Sequence, residues 1–123
     1  MAPRVLVTGV SGWIAAWVAL CAQRLGYQVR GTVRSLQNKE KVEFLQNLCP
    51  GAKFPIELVE ADLNSDDGWQ AAIADVDYIL HVASPYVIAE PRDPNEVITP
   101  AVEGTLRVLR FASEATVRPK RVV

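Results

Sequence analysis

The apolar positions of this chain fall into packets of two alternating kinds. Val5, Leu6 and Val7 form a short run stopped by Thr8 and Gly9, which predicts a buried strand over 5–7. Residues 13–25 have the length of a helix, and Gly26 stands where a C-terminal glycine ends one. Residues 28–33 predict a second strand. Asn38 is the predicted cap of a helix running to Leu48, with Val42, Phe44, Leu45 and Leu48 at helical spacing, and Cys49, Pro50 and Gly51 stop it. Residues 56–59 predict a third strand. The cluster Asn64, Ser65, Asp66 and Asp67 then offers caps for a short helix over 69–74, and residues 77–82 predict a fourth strand. Pro85, Pro91 and Pro94 mark 83–94 as a loop. A long helix is expected over 95–115, with Pro100 as a kink or a late start, and 120–123 opens a fifth strand after Pro119.

Strands alternating with helices predict a parallel sheet with crossover helices. Continuous apolar strands fit a sheet covered on both faces. The expected fold class is therefore α/β: a Rossmann-like, doubly wound parallel sheet in three αβα layers, ending at the start of its fifth strand. A sheet that stops there leaves an open edge and apolar helix faces, so self-association through that edge is expected.

Composition narrows the function. The 123 residues suit one domain, and a formal net charge of -1 provides no strong field for nucleic acid or an anionic membrane. The two cysteines, Cys21 and Cys49, are too few for a disulfide framework and lack C-x-x-C spacing, so free thiols in a reducing compartment are expected. The apolar run over 13–22 is too short for a membrane span, which needs about 20 residues. It also lacks the flanks of a secretory signal. The expected location is the cytosol, with neither membrane nor nucleic acid as a partner.

The chemistry is concentrated in the turn between the first strand and first helix. Gly9, Gly12 and Ala15 are spaced G-x-x-G-x-x-A. Gly9 permits a tight turn off the strand, Gly12 allows backbone N–H groups to approach a pyrophosphate, and Ala15 allows the helix to pack close to the strand. The helix N-terminus adds partial positive charge toward phosphates. A glycine triplet alone is weak evidence; one that follows a strand and opens a helix is stronger. At the end of the second strand, where a carboxylate would bond an NAD ribose, stand Thr32, Val33 and Arg34, with Lys39 and Lys41 following. Cations there favour the extra phosphate of NADP(H). His81, the only histidine, has neither a nucleophile elbow nor a second metal ligand near it, and reads as a packed, hydrogen-bonded side chain.

The run VTGVSGWIA resembles the start of the extended short-chain dehydrogenase/reductase family, and GYQVRGTVRS and HVASP are similar to its dihydroflavonol, cinnamoyl-CoA and aldehyde reductases. The similarity extends over the whole chain in order. It implies a dinucleotide cofactor held by Thr8, Gly9, Ser11, Gly12, Trp13 and Ile14. It further implies that Arg34 and Lys41 meet the 2′-phosphate of NADP(H), that Asp62 and Leu63 meet the adenine, and that Val82, Ala83, Ser84 and Pro85 form a wall along the cofactor. Tyr86 is a candidate for the substrate side, and Thr105 a weak one. For Asp62 the competing expectation is a simple loop-closing role near Asn64.

The family's chemistry needs a tyrosine and a lysine spaced Y-x-x-x-K, in which the tyrosine passes a proton as hydride moves. Four residues after Tyr27, Tyr78 and Tyr86 stand Gly31, Val82 and Glu90, so no such pair is present and no catalytic residue is assigned. The resemblance thus implies the amino-terminal NADP(H)-binding part of a carbonyl reductase, with a small carbonyl substrate only in a longer chain and the substrate domain absent. Two alternatives stand beside it: a non-catalytic nucleotide-binding module, and part of a sugar-nucleotide epimerase, dehydratase or steroid dehydrogenase.

Overall fold

A computed structural model describes residues 2–84 and 90–123. Its elements are β1 (Arg4–Val7), α1 (Trp13–Arg24), β2 (Gln28–Val33), α2 (Lys39–Gln46), β3 (Glu57–Glu60), α3 (Trp69–Ile73), β4 (Tyr78–Leu80), α4 (Asn95–Glu114) and β5 (Arg121–Val122). The strands form one sheet in the order β3-β2-β1-β4-β5, with every pair parallel. The expected three-layer α/β arrangement follows from alternation along the strands. Val5, Val7, Val29 and Val33 face one way and pack on Ala15, Ala19 and Ala22 of α1 and Leu45 of α2. Leu6 and Ile79 face the other way and pack on Trp69, Ala72 and Ile73 of α3 and Val108 and Ala112 of α4. The alanines of α1 let that helix lie close to the sheet, which brings its N-terminus over the end of β1.

One charge is buried within the sheet. Arg30 of β2 is 8% exposed, and its Nη1 donates to the carbonyls of Ala72 and Ala74 at 2.8 Å each and of Ala71 at 3.2 Å. Its Nε donates to Glu57 on β3 at 3.0 Å. The guanidinium thus satisfies carbonyls that the end of α3 would otherwise leave unpaired.

Several boundaries differ from the sequence expectation. The cluster 64–67 does not cap α3: the N-cap is Gly68, left-handed at φ 85°, with no side-chain bond. Asp66 is instead drawn to Arg107 and Arg110 of α4, 2.6 Å from each. These arginines hold its carboxyl below the ordinary carboxylate range. Helix α4 starts at Asn95 and runs through Pro100, so the proline does not mark a late start. It lies in the second turn, where it removes a single backbone donor. Strand β4 ends at Leu80 rather than Val82: the His81 N–H still donates to the Val123 carbonyl beside β5, but the Val82 and Ala83 N–H groups turn to the side chain of Thr8, just past β1. Phe44, expected on the buried face of α2, is exposed, while Leu45 is fully buried.

Candidate functional site

A cleft of about 670 Å³ opens at the carboxyl ends of β1, β2 and β4. Because β2 and β4 flank β1 on opposite sides, this is the point where the chain reverses its direction across the sheet. Ligands of open α/β sheets bind at that point.

The floor of the cleft is the turn between β1 and α1. Gly9 has φ +64°, and a Cβ there would stand 2.7 Å from the Cβ of Ala83. Both the conformation and the space therefore call for glycine. The turn is fastened to β2: Thr32 Oγ1 accepts the Gly9 N–H at 2.8 Å, and the Thr32 carbonyl accepts the Val10 N–H at 3.0 Å. Gly12 differs. It is the N-cap of α1, with extended φ −75° and ψ 159°. Among the described residues, the nearest neighbour to a Cβ there is the Gly9 carbonyl oxygen at 3.3 Å. A Cβ at 12 would press on that oxygen, which would have to give by a few tenths of an ångström, and among the described residues would meet nothing else within 4 Å on this border of the cleft. The N–H groups of Trp13, Ile14 and Ala15 cannot be satisfied inside the helix that they begin, no side chain caps them, and the first turn carries no acidic residue. That arrangement suits an anion.

The expected site residues divide into those on the cleft wall and those behind it. Gly9, Ser11, Gly12, Trp13, Ile14, Arg34, Leu63, Val82, Ala83 and Ser84 line the cleft together. Trp13 is 80% exposed at its mouth and meets Trp17 edge to face, with ring centroids 6.3 Å apart. Arg34 is exposed and, among the described residues, forms no ion pair. The loop after it is held by Glu60 at the end of β3, whose carboxylate accepts the Leu36 N–H at 2.8 Å.

Thr8, Lys41 and Asp62 are not on that wall. Thr8 is fully buried, and its Oγ1 accepts the N–H groups of Val82 and Ala83 at 3.0 Å each and lies 2.9 Å from His81 Nδ1. Lys41 is exposed in the first turn of α2, where its N–H donates to the Asn38 side chain. Asp62 Oδ1 accepts the Asn64 N–H at 2.9 Å, and the Asp62 carbonyl accepts the Trp69 indole N–H at 2.9 Å. Asp62 therefore has the loop-closing contacts that competed with an adenine role. Pro85 and Tyr86 lie outside the described residues. Thr105 is exposed on α4.

Thr32, Ala61, Asn64 and Trp69 also line the cleft and were not expected from the sequence. For Thr32 a signal existed: a polar, β-branched residue at the end of an apolar strand, facing a glycine turn. Trp69, fully buried at the start of α3, reads from sequence only as core.

Known proteins match this chain along nearly its whole length. Residues 5–123 match the NAD dependent epimerase/dehydratase family. A dihydroflavonol 4-reductase from Hordeum vulgare is 42% identical over 111 residues, covering 90% of this chain and 31% of that protein. Tetraketide alpha-pyrone reductase 1 from Arabidopsis thaliana is 40% identical over 107 residues, covering 87% of this chain and 32% of its own length. Among solved structures, vestitone reductase from alfalfa superposes with a TM-score of 0.71 at 33% identity, covering 97% of this chain and 34% of that one. The chain thus spans about a third of the length of such relatives.

Proposed function

The chain belongs to the NAD dependent epimerase/dehydratase family, whose members bind a nicotinamide dinucleotide, and from that premise we propose that it is the NADP(H)-binding part of a carbonyl reductase. The single observation that carries the cofactor reading is the N-terminus of α1. Its first N–H groups are uncapped and open on the cleft, and Gly12, in an ordinary extended conformation, borders the cleft beside them. Pyrophosphate oxygens accept from those groups, with Ser11, Trp13 and Ile14 around them.

Arg34 is the proposed partner of the 2′-phosphate, since it lines the cleft and no carboxylate claims it among the described residues. Lys41 adds long-range positive charge from α2. Leu63 gives the adenine an apolar wall, and Asp62 holds the loop that carries Leu63. Val82, Ala83 and Ser84 border the nicotinamide end, with Thr8 acting on them from behind. The bound cofactor supplies or takes the hydride. The Tyr and Lys pair that the resemblance calls for is not among these 123 residues, so reduction of a dihydroflavonol-like carbonyl is proposed for a protein that includes it. On its own, this chain is proposed as a binding module. Cytosolic location and self-association at the β5 edge complete the proposal.

The test is titration of the chain with NADPH and with NADH, read by energy transfer from Trp13 and Trp17 to the reduced nicotinamide. NADPH should bind more tightly by at least tenfold, as a charge-assisted phosphate contact worth about 1.5–3 kcal/mol requires. Arg34→Glu should abolish the preference. Equal affinities for the two would overturn the Arg34 assignment, and binding of neither would overturn the cofactor assignment.

A further inference from the structure

The hydrogen bonds at Thr8 determine the state of the only histidine in the chain. A hydroxyl has two acceptor lone pairs and one proton. Thr8 Oγ1 accepts from Val82 N and Ala83 N, both at 3.0 Å, and those two bonds use both lone pairs. The remaining contact, 2.9 Å to His81 Nδ1, can then only be Thr8 donating. His81 Nδ1 is therefore the acceptor, and the neutral ring carries its proton on Nε2. Burial lowers the His81 pKa from its ordinary value, in the same sense.

The two N–H groups held by Thr8 lie where the chain leaves β4. The regular strand ends at Leu80, and Val82 and Ala83 border the cleft. Ala83 lies against Gly9 so closely that a Cβ at 9 would come within 2.7 Å of the Ala83 Cβ. Thr8 thus ties one wall of the cleft to its floor, across 74 and 75 residues of sequence. Its hydroxyl can do so only while its proton points away from both amides.

We propose that His81 is the positioning residue of this cleft: Nδ1 accepts the Thr8 hydroxyl proton and so keeps both Thr8 lone pairs on the Val82 and Ala83 amides. Its consequence for cofactor binding rests on the dinucleotide reading above; the hydrogen-bond claim itself does not. A histidine that only filled space would need no particular nitrogen toward Thr8.

The test separates the acceptor from the bulk of the ring. In His81→Asn, Oδ1 takes the place of Nδ1 as acceptor; in His81→Leu nothing accepts. NADPH affinity should fall at least tenfold in His81→Leu and stay within about threefold of wild type in His81→Asn. Thr8→Val should match His81→Leu, and the double variant should be no worse than either, since both break one unit. Two readouts need no cofactor. Nitrogen NMR of the wild-type ring should place the proton on Nε2. Amide exchange at Val82 and Ala83 should quicken in His81→Leu and not in His81→Asn. A proton on Nδ1 at neutral pH overturns the proposal even if every variant misfolds. So does equal loss of affinity in the Asn and Leu variants, or unchanged amide exchange in both. Should wild type bind neither dinucleotide, the cofactor reading fails, and the NMR and exchange results still decide the role of His81.

Discussion

Gly12→Ala separates what the fold requires from what a ligand requires. The position has φ −75° and ψ 159°, which alanine adopts without strain, and its nearest obstacle is the Gly9 carbonyl at 3.3 Å. Restricting the unfolded chain by a Gly→Ala change at a compatible site stabilises by about 0.4–1 kcal/mol. Alanine is a poorer N-cap than glycine by about 0.5–1 kcal/mol. The two effects nearly offset, and the tight contact with the Gly9 carbonyl adds a small overpacking cost, so the urea midpoint should fall by no more than about 1 kcal/mol equivalent. Binding is a different matter. The new methyl projects where phosphate oxygens would meet the N–H groups of α1, and each charge-assisted hydrogen bond lost there is worth about 1.5–3 kcal/mol. NADPH affinity should therefore drop about 10- to 150-fold, while the chain stays folded. Urea titration and cofactor titration on the same sample make the comparison. If Gly12→Ala binds NADPH as wild type does, no phosphate lies against that turn, and the placement of the cofactor is wrong.

Gly9→Ala should behave in the opposite way: a left-handed φ of +64° and a 2.7 Å approach to Ala83 combine backbone strain with overpacking, and the urea midpoint should report a loss of about 2–5 kcal/mol. Arg30→Met should destabilise by about 2–4 kcal/mol in the same assay, because it strands the carbonyls at the end of α3. Glu57→Gln, removing only the half-exposed partner, should cost less than about 1 kcal/mol. The pH dependence has a definite sign. His81 has a folded pKa below its ordinary 6.5, so the unfolded chain takes up the proton first as pH falls. Its contribution is whole above about pH 6.5 and is lost as pH drops toward the lowered folded value. Wild type should therefore lose stability relative to His81→Asn between about pH 7 and pH 5, read as the difference of urea midpoints; parallel curves would refute this.

What the sequence discloses here is local. The order of elements was legible because apolar runs of strand or helix length are broken by Gly, Pro and capping residues, and each break is a property of a few neighbouring residues. The glycine turn was legible for the same reason: G-x-x-G-x-x-A specifies a backbone path within one segment. Asn38 is a case in point, since its side chain does accept the Lys41 N–H that its position promised. The capping cluster at 64–67 misled because Asp66 has better partners 41 and 44 residues away on α4 than any within its own segment. Strand β4 was read too long because Val82 ends an apolar run in sequence, yet its N–H is taken by the Thr8 side chain. Asp62 was given two roles because spacing alone cannot tell a carboxylate free for a ligand from one closing its own loop.

The structural roles that the sequence hid share one physical feature. Thr32 fastens the glycine turn from 23 residues away, Thr8 at the end of β1 fastens the exit of the neighbouring β4 from 74 residues away, and Arg30 completes the end of α3 from β2. Each is a side chain bonded to the backbone of another segment, satisfying an N–H or carbonyl that would otherwise be left unpaired at a cost of about 1–3 kcal/mol. Such bonds leave no periodicity, because one polar residue in an apolar strand looks the same whether it ends in solvent or on a distant amide. They are nonetheless what makes a permissive glycine turn rigid. The motif permits close approach of a phosphate, and Thr8 after β1 and Thr32 on β2 turn that permission into a fixed cradle. A chain with the glycine motif but without Thr8 and Thr32 would keep the turn's sequence signature and lose the geometry that gives the signature its meaning.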